Sequence, residues 1–82
     1  MFTSNATDEE IKALHQYISN SVKKARELKG MSQLELSLTI GLKSAAFFGN
    51  AENNTRDKHF NIEHLYKISK ALEIPMSQFI PQ

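Results

Sequence analysis

Cysteine and tryptophan are both missing from this chain. Without thiols there is no disulfide framework and no thiolate zinc site. No apolar run approaches the roughly 20 residues that a membrane-spanning helix requires. Met1–Glu10 is polar and acidic, not a basic end followed by an apolar run, so no secretory leader is expected. The expected setting is soluble and cytoplasmic. Charge of one sign is lacking too: ten Lys/Arg stand against nine Asp/Glu, for a net charge of +1. Net charge alone therefore makes no case for nucleic acid. Its 82 residues suit a single domain spanning 1–82. A chain this short buries only about 60% of the surface its unfolded form exposes, which leaves little room for an enclosed active site. No enzyme is expected, no catalytic residue stands out, and no cofactor is called for.

Distribution says more than the total. Residues 1–21 carry Asp8, Glu9 and Glu10 against Lys12. Residues 22–59 carry seven Lys/Arg against four Asp/Glu, and residues 60–82 balance. The middle of the chain is the basic part. A mixed solvated surface would show the same imbalance. With only three glycines and two prolines, each one punctuates. Thr7-Asp8-Glu9-Glu10 reads as a capping box. Ile11, Leu14, Ile18, Val22 and Ala25 then fall on one helical stripe, which predicts a helix over about 8–29. Ser19-Asn20-Ser21 is a weak spot at which two shorter helices remain an alternative. Gly30 is placed to end this helix in a left-handed cap.

Leu34 to Ile40 poses a conflict. Its apolar residues alternate as in a strand. A lone strand would have no partner among helical neighbours, and Ser32 and Gly41 bracket the segment as helix caps. Helix is therefore the reading, with Leu36 and Ile40 on one face beside Ser37, and Leu34 and Leu38 on another. Ser44 is expected to cap a further helix to about Asn53, with Gly49 inside it at a cost of about 1 kcal/mol relative to alanine. Asn53 to Asn61 reads as a polar loop. Asn61 caps the next helix, with Phe60 and Leu65 as a hydrophobic staple and Ile62, Leu65, Ile68 and Leu72 as its core stripe. Pro75 opens and Pro81 closes a last short helix anchored by Phe79 and Ile80. The order of stop, cap, short helix, turn and cap from Gly30 to Ser44 is that of a helix-turn-helix, whose second helix is shaped for the DNA major groove.

Val22-Lys23-Lys24-Ala25-Arg26, Lys29-Gly30-Met31-Ser32-Gln33, Leu36-Ser37 with Ile40-Gly41-Leu42, and Leu65 to Ile74 together carry a resemblance. From Val22 to Ile80 the chain resembles the Cro/C1-type helix-turn-helix family of bacterial and phage regulators, also called the XRE family. Residues 1–21 stand before that region as an N-terminal extension. The resemblance implies an all-α fold of five helices, here with an extended first helix, and a transcriptional regulator, a repressor, that binds double-stranded DNA. It implies that Gln33 bonds a DNA phosphate and braces the recognition helix, and that Ser44 caps that helix and touches the backbone. Arg26 and Glu52 match a pair that joins helices one and three in many members, a structural role.

The sequence departs from the family pattern in three places. One extra residue lies between Ser32 and Glu52, assigned here to the turn Gly41-Leu42-Lys43-Ser44. The base-reading positions hold Ala45, Ala46, Gly49 and Asn50. Asn50 suits adenine and alanine suits a thymine methyl, so an A/T-rich site read with modest specificity is expected. The loop Asn53 to His59 is longer than typical. Arg56 and Lys58 in this loop, and Lys43 in the turn before the helix, are candidate phosphate clamps, and Asn53 or Asn54 can bond backbone or base; a plain solvated loop is the alternative. Phe48 belongs to the core, and Phe47 is either a core edge or a contact to DNA.

Other constellations are weak. His59 and His64 sit near a helix start while His15 is remote from them, so no metal site is expected and all three read as surface histidines. The N-terminal extension and the Leu34/Leu38 pair are candidate surfaces for a homodimer, or they pack on each other within one subunit. The competing function is a protein-interaction module on the same fold, such as a phage or toxin–antitoxin accessory protein. A bare recognition helix and near-neutral charge would suit it.

Overall fold

Thr7 starts the first helix as its sequence predicts. Its hydroxyl accepts from the Glu10 amide at 3.1 Å and the Glu10 carboxylate accepts from the Thr7 amide at 2.9 Å. From this capping box a single helix α1 runs over Asp8–Leu28. The computed structural model describes residues 5–82; Met1–Ser4 lie outside the described residues. Helix α2 spans Gln33–Thr39, α3 Ala46–Asn53 and α4 Ile62–Leu72, and a 3₁₀ turn over Met76–Phe79 follows. Among the described residues there is no strand. The fifth helix is thus only one 3₁₀ turn, because Pro75 and Pro81 leave too few residues between them for an α-turn to propagate.

The weak spot in α1 does not break it. Ser19 sends its hydroxyl across to α3, at 2.8 Å from the Ala51 carbonyl, instead of competing for its own backbone. The strand-like alternation of α2 is overridden by a second capping box between Ser32 and Glu35. Ser37 and Thr39 also donate back to the Gln33 and Glu35 carbonyls at 2.6 and 2.7 Å. Leu36, Ser37 and Ile40 go inward. Leu34 and Leu38 stay exposed and do not bury each other against α1.

All four α-helices end with the same paired closure, in which the residue after a left-handed one donates its amide to the carbonyl five residues back. At α1 this is Met31 to Arg26, and at α2 Leu42 to Ser37. Gly30 and Gly41 take the left-handed φ these ends need, at 70° and 92°. At α3 and α4 the left-handed residues are Asn54 and Glu73, both at φ 56°. A glutamate there carries a strain of about 1 kcal/mol that glycine would not. Glu73→Gly is therefore expected to raise the melting temperature by about 4–8 °C for each kcal/mol recovered in a domain of this size. Thermal melts followed by circular dichroism check this.

The core joins Ile18 and Val22 of α1, Leu36 and Ile40, Phe48 and Ala51 of α3, Phe60, Leu65, Ile68 and Leu72 of α4, and Phe79. Phe60 and Leu65 are both buried, and the Phe60 ring lies edge-on to Phe48 at 5.1 Å. Three expected core positions fall outside. Ile11 and Leu14 are exposed, because the first turns of α1 project beyond the bundle; Ile62 is 77% exposed, because the stripe of α4 begins only at Leu65. Ile80 is likewise exposed, so Phe79 anchors the C-terminal turn together with the partly buried Met76.

Candidate nucleic-acid interface

Glu52 lies at the centre of the helix-turn-helix. It is buried on α3 and accepts three hydrogen bonds. Arg26 Nε reaches Oε2 at 2.9 Å, Arg26 Nη2 reaches Oε1 at 2.8 Å, and Gln33 Nε2 reaches Oε1 at 3.0 Å. Arg26 Nη1 in turn donates to the Met31 carbonyl at 2.8 Å. The bidentate fork and its extra donors satisfy a charge that would otherwise be costly to bury. Hydrogen bonding to Glu52 holds the Arg26 guanidinium above its already high ordinary pKa. One carboxylate thus ties α1, the α1–α2 turn and α2 to α3, and sets the angle at which α3 is presented.

Gln33 is consequently a half-buried brace. Its Oε1 would lie 3.2 Å from a Cβ at position 49, which explains the glycine inside α3: the side chain of α2 crosses the helix where a methyl would crowd it. Helix α3 begins at Ala46, later than the expected start at Ser44, with Ala45 as its first cap residue. The Ser44 hydroxyl still accepts from the Ala46 amide, at 3.3 Å. On α3, Phe48, Ala51 and Glu52 face inward. Ala46 and Asn53 are exposed on the other side, with Gly49 and Asn50 half-buried beside them. Asn50 Oδ1 accepts from the Thr55 hydroxyl at 2.8 Å, which holds its amide in place and leaves its N–H pair free to donate. Phe47 turns to the core edge, 4.8 Å from the His64 ring and 6.4 Å from that of Phe60.

Lys43 precedes α3, and Arg56 and Lys58 follow it; all three are exposed. The loop after α3 is wound tightly, with Asn54, Arg56 and Asp57 all at left-handed φ. Asn54 is spent on structure as the cap of α3, its Oδ1 3.2 Å from the Ser19 hydroxyl. The histidines also depart from expectation. His15 is not remote: its ring stacks on His59 at 3.8 Å and joins α1 to this loop. The spacing of His15 from His59 in sequence carries no trace of that contact. Among the described residues no group of three or more His, Cys, Asp or Glu is placed to hold a metal ion.

A helix-turn-helix family model of the Cro/C1 type matches residues 22–79, more than half of the chain. The chain belongs to the Cro/C1-type helix-turn-helix family. This is a family of DNA-binding proteins, and double-stranded DNA is the partner it implies. A comparison with curated proteins gave no match. Among the described residues no helix is long and apolar enough to cross a membrane.

This helix-turn-helix domain holds two histidines where the neutral ring is favoured. The Asn61 amide donates to His64 Nδ1 at 3.0 Å while Asn61 Oδ1 accepts from the His64 amide at 2.8 Å, a capping box with histidine in the place of glutamate. A protonated ring could not accept that bond. Burial lowers the pKa of His64, and burial followed by the neighbouring His59 lowers that of His15. In both cases the unfolded chain takes up the proton first. The contribution of these two groups to stability is full above the ordinary value of 6.5 and is lost as pH falls below it. Thermal melts at pH 7.5 and 5 should show the acid loss. His64→Gln, which can accept the same bond without titrating, should shrink it.

Proposed function

We propose that this protein is a sequence-specific transcriptional repressor that lays α3, Ala46–Asn53, in the major groove of double-stranded DNA. The observation that carries the reading is the Arg26–Glu52–Gln33 network: it fixes α3 at the bundle surface with Ala46, Gly49, Asn50 and Asn53 turned away from the core. Asn50 pairs with adenine, Ala45 and Ala46 meet thymine methyls, and Gly49 leaves room for the Gln33 side chain at the edge of this face. Phosphates are held by Lys43, Arg56 and Lys58, with Asn53, the Ser44 hydroxyl and the free N–H of Gln33 adding neutral donors. Phe47 and Asn54 support this face from behind. Readout with so few donors favours A/T-rich sites. Assembly as a homodimer belongs to the same reading, through the N-terminal part of α1 or through Leu34 and Leu38.

Selection of bound duplexes from a random pool tests it, followed by anisotropy titrations across salt. With three to six phosphates neutralised, log K should fall against log salt with a slope of about −0.9 per phosphate. Enrichment of a site with that salt dependence supports the repressor; salt-independent affinity opposes it. The alternative is a protein-interaction module on the same fold. The near-neutral charge and the small side chains on α3 favour it, and an absence of binding to both random and A/T-rich duplexes at low salt would establish its priority.

A further inference from the structure

The outer face of α1 carries the exposed apolar side chains of Leu14, Tyr17 and Leu28. Glu10, Ser21 and Lys24 share the same face, so it is apolar at three positions and polar or charged at three. The stripe that packs inside the protein is a different one: His15, Ser19 and Arg26 meet α3 and the loop after it. At about 100° per residue, Tyr17 points roughly 200° away from Ser19. Tyr17 is accordingly 45% exposed and Leu28 88% exposed. Two shallow grooves run along this face and meet at Tyr17. One is bounded by Glu10, Ala13, Leu14 and Pro81, the other by Ser21, Lys23 and Lys24.

We propose that two copies of this chain associate through the outer face of α1, antiparallel, with Tyr17 beside its own counterpart on the two-fold axis. Charge decides the direction. The first half of α1 holds Asp8, Glu9 and Glu10 against Lys12, and the second half holds Lys23, Lys24 and Arg26 against Glu27, so the two halves are of opposite sign. Antiparallel pairing about Tyr17 sets Glu10 opposite Lys24 of the second copy, twice, and Ala13 opposite its Ser21. Parallel pairing would set Glu10 against Glu10 and Lys24 against Lys24, and like charges in contact are unfavourable. Leu14 and Tyr17 of both copies supply the apolar centre, extended by the exposed Ile80 and Pro81. An interface of this kind is isologous, so it closes at two. Because the seam lies across α1 from α3, pairing leaves both α3 faces uncovered. The pairing deepens the dimer part of the proposed function and stands without its DNA part.

The chain has no cysteine, so introduced thiols report on this contact alone, without DNA present. Tyr17→Cys should form a disulfide-linked dimer under mild oxidation. Ala13→Cys and Ser21→Cys should link to each other when mixed and not to themselves. Unmodified protein should rise in sedimentation from 9.3 kDa toward twice that mass as concentration increases, and fall back as salt is added. Circular dichroism confirms that each variant is folded. A 9.3 kDa species at every concentration, self-linking of Ala13→Cys, or efficient linking through Leu38→Cys in place of Tyr17→Cys would each overturn the proposal. Duplex binding measured on the same variants separates failure of this contact from failure of the DNA reading.

Discussion

Glu52→Ala is expected to cost about 3–5 kcal/mol of folding stability, the usual result of leaving one member of a buried ion pair without its partner. At about 0.05–0.15 kcal/mol per residue, a chain of this size has only roughly 4–12 kcal/mol in all. The variant should therefore be partly or wholly unfolded at 37 °C. The loss has three sources. Arg26 keeps a buried charge with only the Met31 carbonyl to bond, Gln33 Nε2 loses its acceptor, and α3 loses its tie to α1. The double substitution Arg26→Met with Glu52→Leu removes both charges while keeping volume, and should cost far less than the single one. Urea denaturation of the three proteins measures this. A loss below 1 kcal/mol for Glu52→Ala would mean that the network does not hold the helix-turn-helix together.

The second large effect is expected on binding with the fold intact. Ala46 is exposed at the start of α3. A glutamate there favours the positive end of the helix dipole, so Ala46→Glu should leave stability unchanged or slightly raised. In the groove the same carboxylate would face phosphates and base-edge acceptors, and like-charge juxtaposition costs several kcal/mol. With 1.4 kcal/mol per factor of ten, duplex affinity should drop at least about 100-fold. Lys43→Ala, Arg56→Ala and Lys58→Ala act differently. Each should weaken all duplexes alike and reduce the salt slope by about 1. Anisotropy titrations on these four variants distinguish a reading face from its phosphate clamps. Unchanged affinity in Ala46→Glu would remove α3 from the interface.

Local chemistry left clear marks in the sequence wherever a single residue type had to serve a backbone need. The capping boxes at Thr7 and Ser32 and the left-handed ends at Gly30 and Gly41 are legible because few other residues suit those positions. They also resolved α2, whose alternating leucines alone would have made it a strand. Where a residue is held in place by tertiary contacts, the mark is absent. Asn54 and Glu73 sit at left-handed φ without glycine, tolerated because the helices they end are clamped by packing. Ile11, Leu14 and Ile62 obey a helical period but extend beyond the bundle, so periodicity overstates the core.

The candidate site divides in the same way. That α3 exists and that cations flank it could be read from order and spacing along the chain, and the pairing of Glu52 with Arg26 was implied by the family resemblance. The role of Gln33 against Glu52, the reason for Gly49, the turn of Phe47 to the core edge and the His15–His59 stack could not. Each depends on the angle between two helices, and that angle is set by side chains far apart in sequence. By itself the sequence determined where α1, α2 and α4 begin and where α1 and α2 end, because caps and turns act over three or four residues. Only the tertiary structure decided which face of each helix is covered, because burial is shared among α1, α3, α4 and the last turn, and no segment specifies its own neighbours.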